Sequence, residues 1–241
     1  MRVALITAGG EGNRFGSELP KQYVRVLGKP LIFYAMENFQ KSPEIDAIQI
    51  VCKPQYRDMV RAMAEEFGIT KLKWFADGGK EFQDSVRNGV YALRPHLSDD
   101  DIVIMHVGVM PILAQSAIHD AISLCEEKGC SFSMFPARVC LARRKAENWT
   151  DECVYKEDYI ELNGPWGFRY GGLYGLYREA EKLHRGEDAR DYTVNLWVDM
   201  GHKAYYYRGD DHSSLKITTP FDLELFEAYL QIQQKEETKD G

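Results

Sequence analysis

The stretch that most constrains this chain is Val3 to Tyr23, VALITAGGEGNRFGSELPKQY. A short apolar run, Val3 to Ile6, is bounded by Gly9 and Gly10, which is the pattern of a buried parallel strand. The chain then enters a loop holding Gly9, Gly10, Gly12 and Gly16, where backbone N–H groups are free to approach a ligand closely. Arg14 and Lys21 lie in the same loop, with Pro20 fixing φ just before the lysine. Backbone donors combined with one guanidinium and one ammonium make a cradle for phosphate oxygens.

Two phosphate-binding loops are excluded by spacing. The dinucleotide fingerprint G-x-G-x-x-G needs a third glycine where Phe15 stands, and no P-loop string occurs. An NAD-dependent oxidoreductase is therefore a weak alternative. The net charge of −7 gives no support to a nucleic-acid partner, so the positive charge that matters is local. Five cysteines without a CxxC pair fit neither a disulfide framework nor a zinc site. No apolar run approaches the ~18 residues of a membrane span, and Met1 leads directly into a strand, so a cytoplasmic, reduced protein is expected.

The chain beyond the loop alternates strands and helices, and its 241 residues, 44% of them hydrophobic, suffice for one domain with a sizeable core. Strands are predicted at Ala47–Cys52, Leu72–Ala76, Ile102–Met105, Ser131–Phe135 and Lys203–Tyr207. Helices are predicted from Pro30, over Gln55–Phe67, after Gly78 and Gly79, and over Ser116–Glu127. This order implies an α/β fold with a doubly wound, mainly parallel sheet, in which ligands bind beyond the carboxyl ends of the strands. The rhythm breaks over 138–170. There Arg143, Arg144 and Lys145 form a basic cluster, and Val154, Tyr155, Tyr159, Ile160 and Leu162 alternate as in a two-stranded excursion. Such a hairpin is costly to leave unsupported, so a homodimer is expected. Near the end, Thr219 and Asp222 are spaced as a carboxylate capping box before a strongly amphipathic helix, with Lys216 just ahead of it.

The run G-x-G-x-R-x-G followed by PKQY, together with GG…DSVRNG and LKITTP, resembles the 2-C-methyl-D-erythritol 4-phosphate and ribitol-5-phosphate cytidylyltransferases. The resemblance implies a Rossmann-like nucleotidyltransferase with a protruding β-arm at 138–170 that hooks a second protomer. It implies transfer of CMP from CTP to a phosphorylated sugar or polyol, for isoprenoid or surface-polysaccharide synthesis, with pyrophosphate leaving. Arg14, Lys21 and Lys216 would carry the triphosphate charge. Ala8, Gly9, Gly10, Glu11 and Gly12 would line the nucleotide, and Gly79, Lys80 and Ser85 would read the base.

The chain departs from the family on the metal and acceptor side. H-D-x-x-R-P is replaced by HVGVMP, so Val107 stands in place of the Asp that helps position Mg²⁺, and Met110 in place of the arginine. D-R-x-x-L-W becomes Glu161 to Trp166, T-P-Q-x-F becomes Tyr170 to Tyr174, and T-D-[DE]-A has no clear counterpart around Asp191 to Val194. Two readings follow. One is an active enzyme in which Mg²⁺ arrives with the nucleotide, near Asp210 or Asp211, and Arg143, Arg144 or Arg169 holds the acceptor phosphate. The other is a non-catalytic nucleotide-binding homologue that regulates or scaffolds a partner.

Overall fold

Residue by residue, the computed structural model describes positions 1–10, 19–185, 192–210 and 212–240. The chain opens with β1 (Arg2–Thr7), a short hairpin of β2 (Arg25–Val26) and β3 (Lys29–Pro30), and α1 (Leu31–Lys41). Alternation follows through β4 (Ala47–Cys52), α2 (Arg57–Glu66), β5 (Leu72–Asp77), α3 (Phe82–Ala92), β6 (Ile102–Val107), α4 (Gln115–Lys128) and β7 (Cys130–Pro136). The remainder comprises β8 (Leu141–Ala142), β9 (Cys153–Val154), β10 (Ile160–Arg169), α5 (Tyr170–Lys182), α6 (Thr193–Asp199), β11 (Tyr206–Arg208) and α7 (Pro220–Asp240).

Among the described residues these build a seven-stranded sheet in the order β11-β7-β10-β6-β1-β4-β5. The pairs β1–β4, β1–β6, β4–β5 and β7–β11 are parallel, and β10 is antiparallel to both of its neighbours. From β1 the chain moves to one side through β4 and β5, then crosses to β6 on the other. The carboxyl ends of β1 and β6 therefore flank a topological switch point, where ligands enter such sheets.

Period-two alternation on the central strands feeds two cores. Ala4, Ile6, Ile48, Ile50 and Ile104 pack on one face against Phe33, Met36, Phe39, Val60 and Ile118 from α1, α2 and α4. Val3, Leu5, Val51, Val103 and Met105 face the other way, against Val86, Val90, Leu93 and Leu173 from α3 and α5. Local chemistry sets several helix ends. A capping box of Glu81 and Asp84 opens α3, and Gly129 closes α4 at φ 83, where a side chain would be strained. The Thr219–Asp222 cap forms as expected: the Asp222 carboxylate accepts from the Thr219 amide at 2.7 Å, and Thr219 Oγ1 accepts from the Asp222 amide at 3.3 Å. Among the described residues no helix is long and apolar enough to cross a membrane.

Three expectations are corrected. Ile160 to Arg169 is no part of an excursion; it is a central strand, and only the two-residue ladder of β8 and β9 stands outside the sheet between 137 and 159. The last strand runs over Tyr206–Arg208 rather than Lys203–Tyr207, and Lys216 lies in the loop between it and α7. The last helix buries only a narrow stripe: Phe226 is 1% exposed on Val26, Leu31, Val109 and Ile217, whereas Phe221, Leu225 and Ile232 face solvent. Phe226→Ala should accordingly lower the unfolding free energy by about 3 kcal/mol, and Ile232→Ala by less than ~0.5 kcal/mol, as read from urea denaturation midpoints.

Candidate active site

The loop after β1 begins where the ladder ends. The Ala8 amide donates to the Val51 carbonyl at 2.7 Å, and the Gly78 amide to the Cys52 carbonyl at 3.0 Å. The segments after β1 and β5 then come into backbone contact: a Cβ on Gly9 would lie 3.3 Å from Gly78 Cα and 3.2 Å from Ser85 Oγ. Gly79 is more tightly constrained, since a Cβ there would sit 2.1 Å from Asp84 Cβ. Its amide donates to Ser85 Oγ at 2.9 Å, and Ser85 Oγ donates onward to the Glu81 carbonyl at 3.2 Å. Ser85 thus spends its proton on the loop and offers a ligand only a remaining lone pair.

These segments enclose a cavity of about 290 Å³ lined by Ala8, Gly9, Gly10, Lys21, Gly79, Lys80 and Ser85, with Val107 and Val109 on one wall. The structure therefore brings together seven of the residues singled out from the sequence. Glu11, Gly12, Arg14 and Asp211 lie outside the described residues. Gln22, passed over in the PKQY string, organises the cradle: its buried amide nitrogen donates to the carbonyls of Ala8 at 2.7 Å and Gly10 at 2.9 Å.

A second cavity, of about 530 Å³, adjoins the first; Val107 lines both. Met110, Leu162 and Trp166 give it an apolar wall, while Glu161, Asn163, Asn195, Asp199 and Lys216 supply polar groups. One lysine lines each cavity, Lys21 the smaller and Lys216 the larger. Lys21 Nζ donates to the carbonyl of Ile217, the residue after Lys216, at 2.8 Å, and Lys216 Nζ lies 6.0 Å from the Tyr192 ring centroid. Two cations at the seam of two cavities can hold phosphate groups from both sides. The α6 residues were missed because the sequence there matches no family string; the one available signal was Asn195 and Asp199, spaced four apart on one helical face.

Other candidates fall elsewhere. Arg169 donates to the Glu126 carbonyl at 2.8 Å, at the end of β10 opposite to the cavities. Arg143 pairs with Glu152 at 3.1 Å in the excursion, and neither Arg143 nor Arg144 lines either cavity. Asp210 caps the His212 amide at 2.8 Å and lines a third cavity between α1 and α7. Among the described residues no three His, Cys, Asp or Glu side chains converge, and Val107 offers no oxygen to a hard cation. The described side chains thus do not assemble a metal centre of their own.

His106 braces the loop that separates the cavities. It is fully buried, and its Nε2 donates to the Met110 carbonyl at 2.8 Å, leaving Nδ1 as an unpartnered acceptor. Burial pushes its pKa down to about 4, against a smaller opposing effect from that carbonyl, so the ring is neutral near pH 7.

Comparison with known proteins gives one consistent result. The family model described as "IspD: 2-C-methyl-D-erythritol 4-phosphate cytidylyltransferase" matches residues 2–232. A ribitol-5-phosphate cytidylyltransferase of Lacticaseibacillus paracasei is 36% identical over 230 residues, covering 95% of this chain and 98% of that protein. A 2-C-methyl-D-erythritol 4-phosphate cytidylyltransferase of Clostridium perfringens is 28% identical over 229 residues, covering 95% of this chain and 98% of that one. The fold matches the crystal structure of 4-diphosphocytidyl-2C-methyl-D-erythritol synthase from Anaerococcus prevotii with a TM-score of 0.79, over 95% of this chain and 96% of that one, at 21% identity.

The depressed histidine carries a pH dependence of definite sign. Its folded pKa of about 4 lies below the ordinary 6.5, so the unfolded chain binds the proton more readily. Its contribution is complete above about pH 6.5 and is lost progressively as the pH falls toward about 4. Melting temperature should fall across that window, and His106→Gln should flatten the slope there; an equal slope in both proteins would assign it to other groups.

Proposed function

The chain belongs to the 2-C-methyl-D-erythritol 4-phosphate cytidylyltransferase (IspD) family, and from that premise we propose that its CMP acceptor is a polyol phosphate of the ribitol 5-phosphate kind. It is a cytidylyltransferase acting on CTP and a phosphorylated sugar or polyol; a non-catalytic regulatory or scaffold role is not favoured by this membership. The polyol is suggested by the 36% identical relative, whose name specifies ribitol 5-phosphate. The observation that carries the mechanism is the seam between the two cavities, with Val107 in both walls and Lys21 tied to the residue after Lys216.

CTP occupies the smaller cavity. Ala8, Gly9 and Gly10 line it there, with Glu11 and Gly12 assigned to the nucleotide from the sequence alone, and Gly79, Lys80 and Ser85 lie against the base. The acceptor enters the larger cavity with its phosphate at the seam. One acceptor phosphate oxygen attacks the α-phosphorus in line; the new P–O bond forms as the bond to the bridging oxygen breaks, and pyrophosphate leaves. No covalent enzyme intermediate is needed, so catalysis is positioning and charge neutralisation. Arg14 and Lys21 neutralise the triphosphate, and Lys216 the charge that gathers on the α-phosphate from the acceptor side. A divalent cation bound with the triphosphate would add to that neutralisation; Val107 stands where the family has its carboxylate and offers it no oxygen. Glu152, Trp149 and Tyr155 belong to the excursion outside the sheet, where Trp149 and Tyr155 are 58% and 81% exposed. That apolar surface is the proposed homodimer contact.

Pyrophosphate release is expected with CTP and ribitol 5-phosphate in Mg²⁺, and little with ATP, GTP or UTP. Removing one cation from the transition state should cost ~10²-fold or more in kcat for Lys21→Ala and for Lys216→Ala, with little change in unfolding midpoint. Wild-type turnover in either variant would move the site elsewhere. Mg²⁺ alone should leave the melting temperature unchanged and raise it only when CTP is present, because a ligand stabilises only through the native site it occupies. A rise with Mg²⁺ alone would mean that the protein supplies its own ligands. Light scattering at micromolar concentration should give the mass of a dimer, and a monomer would remove the role given to the excursion.

A further inference from the structure

The larger cavity is polar in an uneven way. One wall is β10, contributing Glu161 and Asn163; the facing wall is α6, contributing Asn195 and Asp199. Lys216 is its only cation among the described residues, and its Nζ lies 6.0 Å from the Tyr192 ring centroid at the start of α6, whereas Asp199 ends that helix. Away from that lysine the charged groups are carboxylates. Trp166, which lines the same cavity, is 4% exposed and carries a buried indole N–H with no partner among the described residues.

Resting on the cytidylyltransferase reading above, we infer that Glu161 and Asp199 select the acceptor by charge: the cavity takes a polyhydroxy chain whose single anionic group is its reacting phosphate. With that phosphate at Lys216, the rest of the acceptor extends toward the two carboxylates. Ionised carboxylates only accept hydrogen bonds, so they pair with hydroxyl donors, and the amides of Asn163 and Asn195 serve hydroxyls in either sense. A second phosphate, or a carboxylate on the far carbon, would face like charge from two exposed carboxylates, with no second cation among the described lining residues to offset it. The apolar wall of Met110, Leu162 and Trp166 packs the carbon chain and offers that second charge nothing. Glu161 and Asp199 are specificity-determining residues in this scheme and take no part in bond making.

The test compares two acceptors that differ at one carbon: ribitol 5-phosphate and 5-phosphoribonate, in which a carboxylate replaces the terminal hydroxymethyl group. The readout is the ratio of their kcat/KM values for pyrophosphate release with CTP, for the wild type and for Glu161→Gln/Asp199→Asn. Both acceptors meet the same preparation, so any misfolded fraction cancels from the ratio. The wild type should prefer the polyol by about tenfold, and the double variant should narrow that preference by about threefold, mainly through a lower KM for the carboxylated acceptor. A wild type that accepts both equally, or a ratio that the double variant leaves unmoved, would overturn the inference while leaving the transferase reading intact. A double variant that instead needs more Mg²⁺ at an unchanged ratio would make these carboxylates metal ligands and overturn it as well. Turnover of neither acceptor by the wild type would remove the proposed acceptor, and this inference with it.

Discussion

The central strands are buried on both faces, and the rest of the arrangement follows from that. Val3 to Ile6, Ile48, Ile50, Val51, Val103 and Ile104 are essentially inaccessible, so β1, β4 and β6 carry no chemistry along their lengths. Only their ends reach a ligand. Because the chain leaves β1 toward β4 on one side and reaches β6 on the other, the loops after β1 and β6 diverge and open a crevice. Both cavities lie there, and Val107, the last residue of β6, is common to them. On the other side of β1, Gly9 and Gly78 let the backbones after β1 and β5 come together where side chains would push them apart, which walls the smaller cavity there.

Much of this was legible in the residues. The apolar run before Gly9 and Gly10 marked the central strand, and the alternation of strand and helix periods marked the doubly wound sheet. The spacing of Thr219 and Asp222 marked the cap of the last helix. What was not legible is instructive. Tyr159, Ile160 and Leu162 alternate in the same way whether they belong to an exposed ladder or to a central strand, because period two reports that a residue pair faces opposite sides and says nothing about the partner. β10 is slotted antiparallel between β6 and β7, a pairing decided by the packing of Trp166 and Phe168 on the α3–α5 core rather than by local pattern. Asp210 misled for a related reason: closeness to Lys216 in sequence was undone by the turn at His212, which carries the carboxylate toward α1 and α7.

Residue type also overstated how free the polar groups of the cradle are. Ser85, Gln22 and His106 all look like ligands to a substrate, yet each spends its best hydrogen bond on backbone. Ser85 closes the Gly79 turn, Gln22 spans Ala8 and Gly10, and His106 ties the Met110 carbonyl. Preorganisation of this kind costs affinity nothing at the moment of binding, since the loops are already ordered. It leaves backbone groups and a few long cations facing the cavities, which suits a triphosphate better than a base alone.

The hydrogen bond from Lys21 to the Ile217 carbonyl joins residues 196 positions apart in the chain. The glycine loop and its lysine lie near one end of the sequence, and every strand of the sheet precedes Lys216. A chain folded as far as Arg208 of β11 holds every strand of its core but neither Lys216 nor the carbonyl that aims Lys21. So long a loop closes late, after the local contacts have formed. The core can therefore form before this contact does, and the cradle takes its final shape only when the last segment docks.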